Sequence, residues 1–109
     1  MAATNSNRER LPTRRMSATF DFVCAGLRYT ATIGRFPDGR IGEIFLNNHK
    51  PNSTADTNAR DTAIVCSIAF QCGAHVDTIR RALSRDSHGR PSGPLGTALD
   101  ILAETERGS

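Results

Sequence analysis

The sequence has no tryptophan, one tyrosine (Tyr29) and one lysine (Lys50) in 109 residues. No apolar run approaches the ~20 residues that cross a bilayer, so no membrane-spanning helix is expected. The first 15 residues are polar and basic, without the apolar stretch of a secretory signal, which points to a cytoplasmic protein. Three cysteines, Cys24, Cys66 and Cys72, are odd in number and show no C-x-x-C spacing, which argues against a disulfide framework or a zinc site. Cys66 and Cys72 stand six apart, too far out of line on one helix to bridge. Their plainest reading is as small buried apolar side chains. Walker, G-x-G-x-x-G and nucleophile-elbow motifs are all missing. Asp86 and His88 do lie close to Ser84, Ser87 and Ser92, but residues so local in sequence do not assemble a hydrolase triad.

What is present is an ordinary globular balance, 38% hydrophobic and 23% charged. A chain of this length forms one domain and buries about two-thirds of its unfolded surface. The net charge of +3 is uneven. Residues 1–16 carry four arginines (Arg8, Arg10, Arg14, Arg15) against Glu9. Of 14 basic residues this leaves ten, and of 11 acidic residues also ten, so the rest of the chain is neutral. A flexible basic arm over 1–16 and a single folded domain over 17–105 are expected. The arm offers weak, salt-sensitive contact with nucleic acid, and as a solubilising linker it needs no partner.

The folded part opens with strands. Phe20, Phe22 and Cys24 alternate with polar neighbours, and after Ala25-Gly26 so do Leu27, Tyr29, Ala31 and Ile33. A two-residue turn pairs Cys24 with Leu27, Phe22 with Tyr29 and Phe20 with Ala31, which places all of these on one face. Phe36-Pro37-Asp38-Gly39 is a second turn. A third strand follows over 40–46 with two candidate facings: Ile41, Glu43 and Phe45 inward, or Ile44 and Leu46 inward. A bulge at the turn would set Phe45 beside Ala31 and Glu43 beside Ile33.

Helices come next. One is expected from about Asp56 to Cys72, stopped by Gly73. Only Ser67 is polar between Ala63 and Phe70, which predicts a central helix buried all round. A second spans 76–84, and a third starts at Pro94 with Leu95, Ala98, Leu99, Leu102 and Ala103 at helical spacing. The fold class is therefore α+β: a three-stranded antiparallel sheet followed by about three helices packed on one face. Open edges of such a sheet often pair across a dimer, so a homodimer is a further expectation.

Two loops carry candidate anion-binding residues. His49, Lys50 and Ser53 precede the first long helix, whose N-terminal N–H groups favour a phosphate; an ordinary polar loop with a capping Ser or Thr is the plainer reading, since every helix start needs a cap. Arg85, Arg90 and Gly93 belong to an Arg- and Gly-rich stretch ahead of the third helix, an anion cradle or a plain connector with glycine turns. Arg80 and Arg81 would extend a basic patch there.

Several segments together resemble one family. They are Arg10-Leu11-Pro12-Thr13-Arg14-Arg15, the run Gly26 to Thr32, Asp38-Gly39-Arg40 leading to Glu43-Ile44-Phe45, Asn48-His49-Lys50, Ala59-Arg60-Asp61, Ile79 to Leu83 with Arg85-Asp86, and Ser92-Gly93-Pro94-Leu95-Gly96. The chain is similar over about residues 10–103 to the TSCPD domain, in particular to the C-terminal domain of vitamin B12 (adenosylcobalamin)-dependent class II ribonucleoside-diphosphate reductases. The resemblance implies the context of deoxyribonucleotide synthesis and DNA replication. It implies that adenosylcobalamin belongs to the family's catalytic domain and that no cofactor is bound by this chain. The Thr-Ser-Cys-Pro-Asp string that names the family is absent, since Cys66-Ser67 lacks the following Pro-Asp. No redox or metal role is therefore carried over. The expected function is a free-standing binding or regulatory module of ribonucleotide reduction, without the radical site, whose partner is a reductase catalytic chain or a nucleotide. The alternative is a nucleic-acid or nucleotide-binding accessory protein that uses the arginine arm and the Arg-rich loops.

Overall fold

A computed structural model of the chain describes residues 7–108. The elements are β1 (Ser17–Cys24), β2 (Leu27–Arg35), β3 (Ile41–Asn48), α1 (Thr54–Gln71), α2 (Val76–Ala82) and α3 (Pro94–Gly108). The sheet is antiparallel in the order β1-β2-β3, and the helices cover one face. The fold is the α+β arrangement expected from the pattern.

The β1–β2 register is the predicted one: Cys24 pairs with Leu27, Phe22 with Tyr29 and Phe20 with Ala31. The turn places both central residues at positive φ, Ala25 at 52° and Gly26 at 77°, the geometry whose twist matches a hairpin. Phe22 stacks on Tyr29 with ring centroids 5.5 Å apart.

β3 resolves the two facings. Thr32 pairs with Phe45, Ile33 with Ile44 and Gly34 with Glu43, but Arg35 pairs with Ile41, so Gly42 is an extra residue on β3. The bulge lets Ile41, Ile44 and Leu46 all reach the core, while Phe45 faces out at 48% exposure. A side chain at Gly42 would collide with Leu11 and the Phe36 ring, and one at Gly34 with Glu43.

α1 lies along β3. Its small residues Ala59 and Ala63 allow close approach to the sheet, and Cys66 and Phe70 continue the buried row. Leu95, Ala98, Leu99 and Leu102 of α3 complete the core. The expectation that α1 is buried all round is corrected: only one side packs on the sheet, and Ile64, Val65 and Ile68 are exposed. With three helices on one face of a three-stranded sheet, no second layer covers α1 from behind. α2 is also shorter than expected, since Leu83 is already extended.

α1 does more than pack. β3 is an edge strand whose outward backbone groups need partners, and a polar row on α1 supplies them. Ser67 Oγ accepts from Ile44 N–H (2.8 Å) and donates to Ile44 C=O (2.9 Å). Gln71 Nε2 donates to Gly42 C=O at 3.0 Å. Asp56 Oδ1 accepts from Asn48 N–H at 2.9 Å. This edge is thus occupied by a helix, and a sheet-to-sheet dimer would have to use β1.

Residues 1–6 of the expected arm lie outside the described residues. The remainder, 7–16, contacts the folded body. Glu9 N–H donates to Gln71 C=O at 2.7 Å, and Arg8 Nε donates to the Gln71 side chain. Arg40 pairs with Glu9. Arg15 pairs with Glu43 through two donors and also reaches Pro12 C=O. Glu43, the one carboxylate of the sheet that is buried, is thereby partnered.

Candidate functional site

The two loops singled out by sequence are ordered by carboxylates of their own. In the β3–α1 loop, Ser53 is the N-cap of α1: its Oγ accepts from Asp56 N–H (3.1 Å) and donates to Lys50 C=O (2.7 Å). Asp56, at 3% exposure, turns its carboxylate back to accept from the N–H groups of Asn48 and Asn52. This is close to a capping box with aspartate in the position of glutamate, but the carboxylate receives the N–H groups before the N-cap, and the Ser53 N–H donates to Lys50 C=O instead. Lys50 holds the loop through its backbone, accepting as above and donating its N–H to Asn48 Oδ1 at 2.8 Å. Its side chain is in solvent. His49 sits apart, on the outer sheet face, with Nε2 2.8 Å from Thr30 Oγ1. Asp21 completes that small cluster through the Thr30 hydroxyl.

In the α2–α3 loop, Arg85 is committed to α3. Its two terminal nitrogens donate to both oxygens of Asp100 at 2.9 and 2.7 Å, and Arg80 adds a third contact at 3.3 Å. Hydrogen bonds from Arg85, then from Arg80, hold the Asp100 carboxyl below the usual carboxylate range. The turn itself closes on Asp86, whose Oδ1 accepts from the N–H groups of His88 (2.8 Å) and Arg90 (3.0 Å). The Arg90 N–H contact is the first cause that lowers the Asp86 carboxyl as well. The Arg90 side chain is exposed. Amides of the kind that cradle phosphate are present in both loops, and the anion they receive is an internal carboxylate.

Gly93 faces a cleft of about 330 Å³ between the first turns of α1 and the start of α3. Tyr29 forms part of its wall, with Asn58, Thr62 and Ser84 as polar neighbours and Leu83 and Pro94 as apolar ones. Of the six candidate residues only Gly93 lines it; His49, Lys50, Ser53, Arg85 and Arg90 do not converge there. A second cleft of about 680 Å³ lies between the β2–β3 turn and the ends of the helices, with Arg35, Arg40, His75 and Asp77 on its walls. Arg35 is paired with Glu106 at 2.8 Å.

Burial pushes the Cys66 thiol up to about 12, so it stays protonated and unreactive near neutral pH. Cys24 is buried too, and Cys72 is exposed. Among the described residues no three His, Cys, Asp or Glu side chains form a metal-binding group, and no helix is long and apolar enough to cross a membrane. Sequence reasoning missed Asp56, Asp100 and the edge-capping pair Ser67 and Gln71. The Ser53-x-x-Asp56 spacing was a readable signal for the first. Asp100 stands between Leu99 and Leu102 with no local mark of its partner 15 residues earlier.

Fold and loops together define a compact α+β module, closed on internal carboxylates, with a small uncharged cleft. No protein-family model matches the chain, and no solved structure matches it. Curated proteins do match, among them three that are each a vitamin B12-dependent ribonucleotide reductase. That of Bradyrhizobium diazoefficiens is 32% identical over 81% of this chain and 7% of its own length. The Rhodopirellula baltica protein is 37% identical over 76% of this chain and 8% of its own, and that of Agrobacterium fabrum 36% over 64% and 6%. The chain is similar to a short segment of these reductases, consistent with a TSCPD-like domain, and it spans less than a tenth of their length.

Proposed function

We propose that the chain serves ribonucleotide reduction as a non-catalytic binding or regulatory module that associates with a vitamin B12-dependent reductase polypeptide in the cytoplasm. The observation that carries this reading is the 32–37% identity over most of the chain to a stretch amounting to 6–8% of the relatives. Radical chemistry and adenosylcobalamin belong, on this reading, to the large polypeptide. Support for placing the radical chemistry elsewhere comes from the cysteines: neither cleft is lined by one that could serve as a radical thiol, and the Cys66 thiol is held protonated in the core. The nucleic-acid alternative draws less support, because Arg8, Arg15, Arg80 and Arg85 are engaged by partners within the chain. A nucleotide ligand has the Tyr29 cleft available, but no cationic side chain lines it.

The test is direct binding between the purified chain and a full-length vitamin B12-dependent reductase from the same source, followed by reductase turnover with and without the chain. A saturable complex, with or without a change in turnover, is expected. No complex at micromolar concentrations, together with a rise in melting temperature on adding one nucleotide or a DNA oligomer, would replace this reading with the alternative.

A further inference from the structure

α1 is apolar over more of its circumference than its own fold uses. The sheet takes Ala59, Ala63, Cys66 and Phe70, and the β3 edge takes Asp56, Ser67 and Gln71. The other side carries Ile64, Val65 and Ile68, which are 55%, 68% and 36% exposed, with exposed Cys72 one turn further on. At 100° per residue these four fall within one stripe about 100° wide. Isoleucine and valine are indifferent helix formers because the turn before them restricts χ1. Local helix stability therefore gives no reason for three of them on a solvent face. A helix that is apolar all round belongs in an interior, and a contiguous exposed apolar patch marks an interaction surface.

The relatives indicate what covers it. In each of them the homologous stretch is embedded in a polypeptide more than ten times longer, so a module of this kind has a large chain to pack against. The patch is suited to an apolar counterpart, because Ile64, Val65, Ile68 and Cys72 bring no charge to it, and exposed Asp61, one turn earlier in the same sector, bounds it at its N-terminal end. We infer that the Ile64–Val65–Ile68 stripe of α1 is the surface by which this chain docks on an apolar face of a ribonucleotide reductase polypeptide. The inference rests on the proposed function and adds the site of contact.

The test uses the full chain, the full-length reductase and the double variant Val65→Glu/Ile68→Glu. Both positions are exposed, so the variant is expected to keep the helical circular dichroism and melting temperature of the parent while its Kd for the reductase rises roughly tenfold or more. Phe45→Ser, which removes an exposed apolar side chain from the outer sheet face, should leave the Kd within about twofold. Parent and double variant binding equally would overturn the stripe and leave reductase association standing. Failure of the parent itself to bind would overturn both. A parent dimer in sedimentation that the double variant loses, with no reductase binding, would assign the stripe to a second copy instead.

Discussion

The β3–α1 loop and the α2–α3 loop look alike in composition, and each is organised by a carboxylate on the helix that follows it. They differ in what that carboxylate receives. Asp56 is buried and accepts backbone N–H groups from Asn48 and Asn52. Asp100 is partly exposed and accepts guanidinium donors from Arg85 and Arg80. Backbone amides are fixed in place and lose nothing to salt, and if their acceptor is removed they are stranded away from water. Guanidinium groups near the surface are screened, and they can turn to solvent when their acceptor is lost. The first loop is therefore a rigid joint between sheet and helix. The second is a clamp that responds to conditions.

The contrast is broken most sharply at Asp56. Asp56→Ala leaves the buried Asn48 amide and the part-buried Asn52 amide without this acceptor, frees the β3 end and removes half of the capping arrangement. A loss of about 3 kcal/mol is expected, read by urea denaturation. A loss below about 1 kcal/mol would mean the joint is not where the fold is held.

Asp100→Asn should cost less, about 1 kcal/mol at neutral pH, because the site is open enough for the arginines to hydrate. Its signature lies in pH. Arg85 and Arg80 hold the Asp100 carboxyl below its ordinary range, so the unfolded chain binds this proton more readily than the folded one. The resulting stability is complete at neutral pH and is lost as the pH falls below about 4 toward the depressed folded value. The parent should show this acid loss and Asp100→Asn should lack that part of it. Raising salt should narrow the gap between the two proteins near neutral pH, whereas the Asp56→Ala gap should hold.

Ser53→Ala tests the same joint with a smaller lever. It removes one cap bond to Asp56 N–H and one donor to Lys50 C=O, and about 1 kcal/mol is the usual cost of losing such a cap. A thermal melt that showed no shift would place the cap's work wholly on Asp56.

Much of this architecture was legible in the sequence where local chemistry decides it. The Cys24–Leu27 hairpin followed from alternation plus a two-residue turn, and both turn residues take the positive φ such a turn needs. The facing of β3 was not decidable, because Gly42 inserts a bulge that lets Ile41 and Ile44 share a face despite their odd spacing. α1 misled for a different reason: an apolar helix reads the same whether its own sheet or another chain covers its far side. The site candidates were singled out because amides and arginines cluster there. The acceptor roles of Asp56 and Asp86 are local, within four residues for Asn52, His88 and Arg90, whereas that of Asp100 for Arg85 depended on helix placement, which composition does not carry.

The smallest effect separates side chain from backbone in the two loops. Lys50 and Arg90 both serve structure through main-chain groups: Lys50 through its N–H and C=O, and Arg90 through its N–H to Asp86 and its C=O, which accepts from Asp86 N–H. Their charged ends stand in solvent. Lys50→Ala and Arg90→Ala should each leave stability within about 0.5 kcal/mol, as surface substitutions do. If instead either variant loses more than about 1 kcal/mol in urea denaturation, its side chain takes part in closing the loop. Stability unchanged in both, with inorganic phosphate giving the parent no rise in melting temperature, would leave internal carboxylates as the only anions these loops hold. A rise with phosphate that Lys50→Ala or Arg90→Ala abolishes would show a loop whose internal carboxylate yields to an external anion, and the likeness between the two loops would then extend to function.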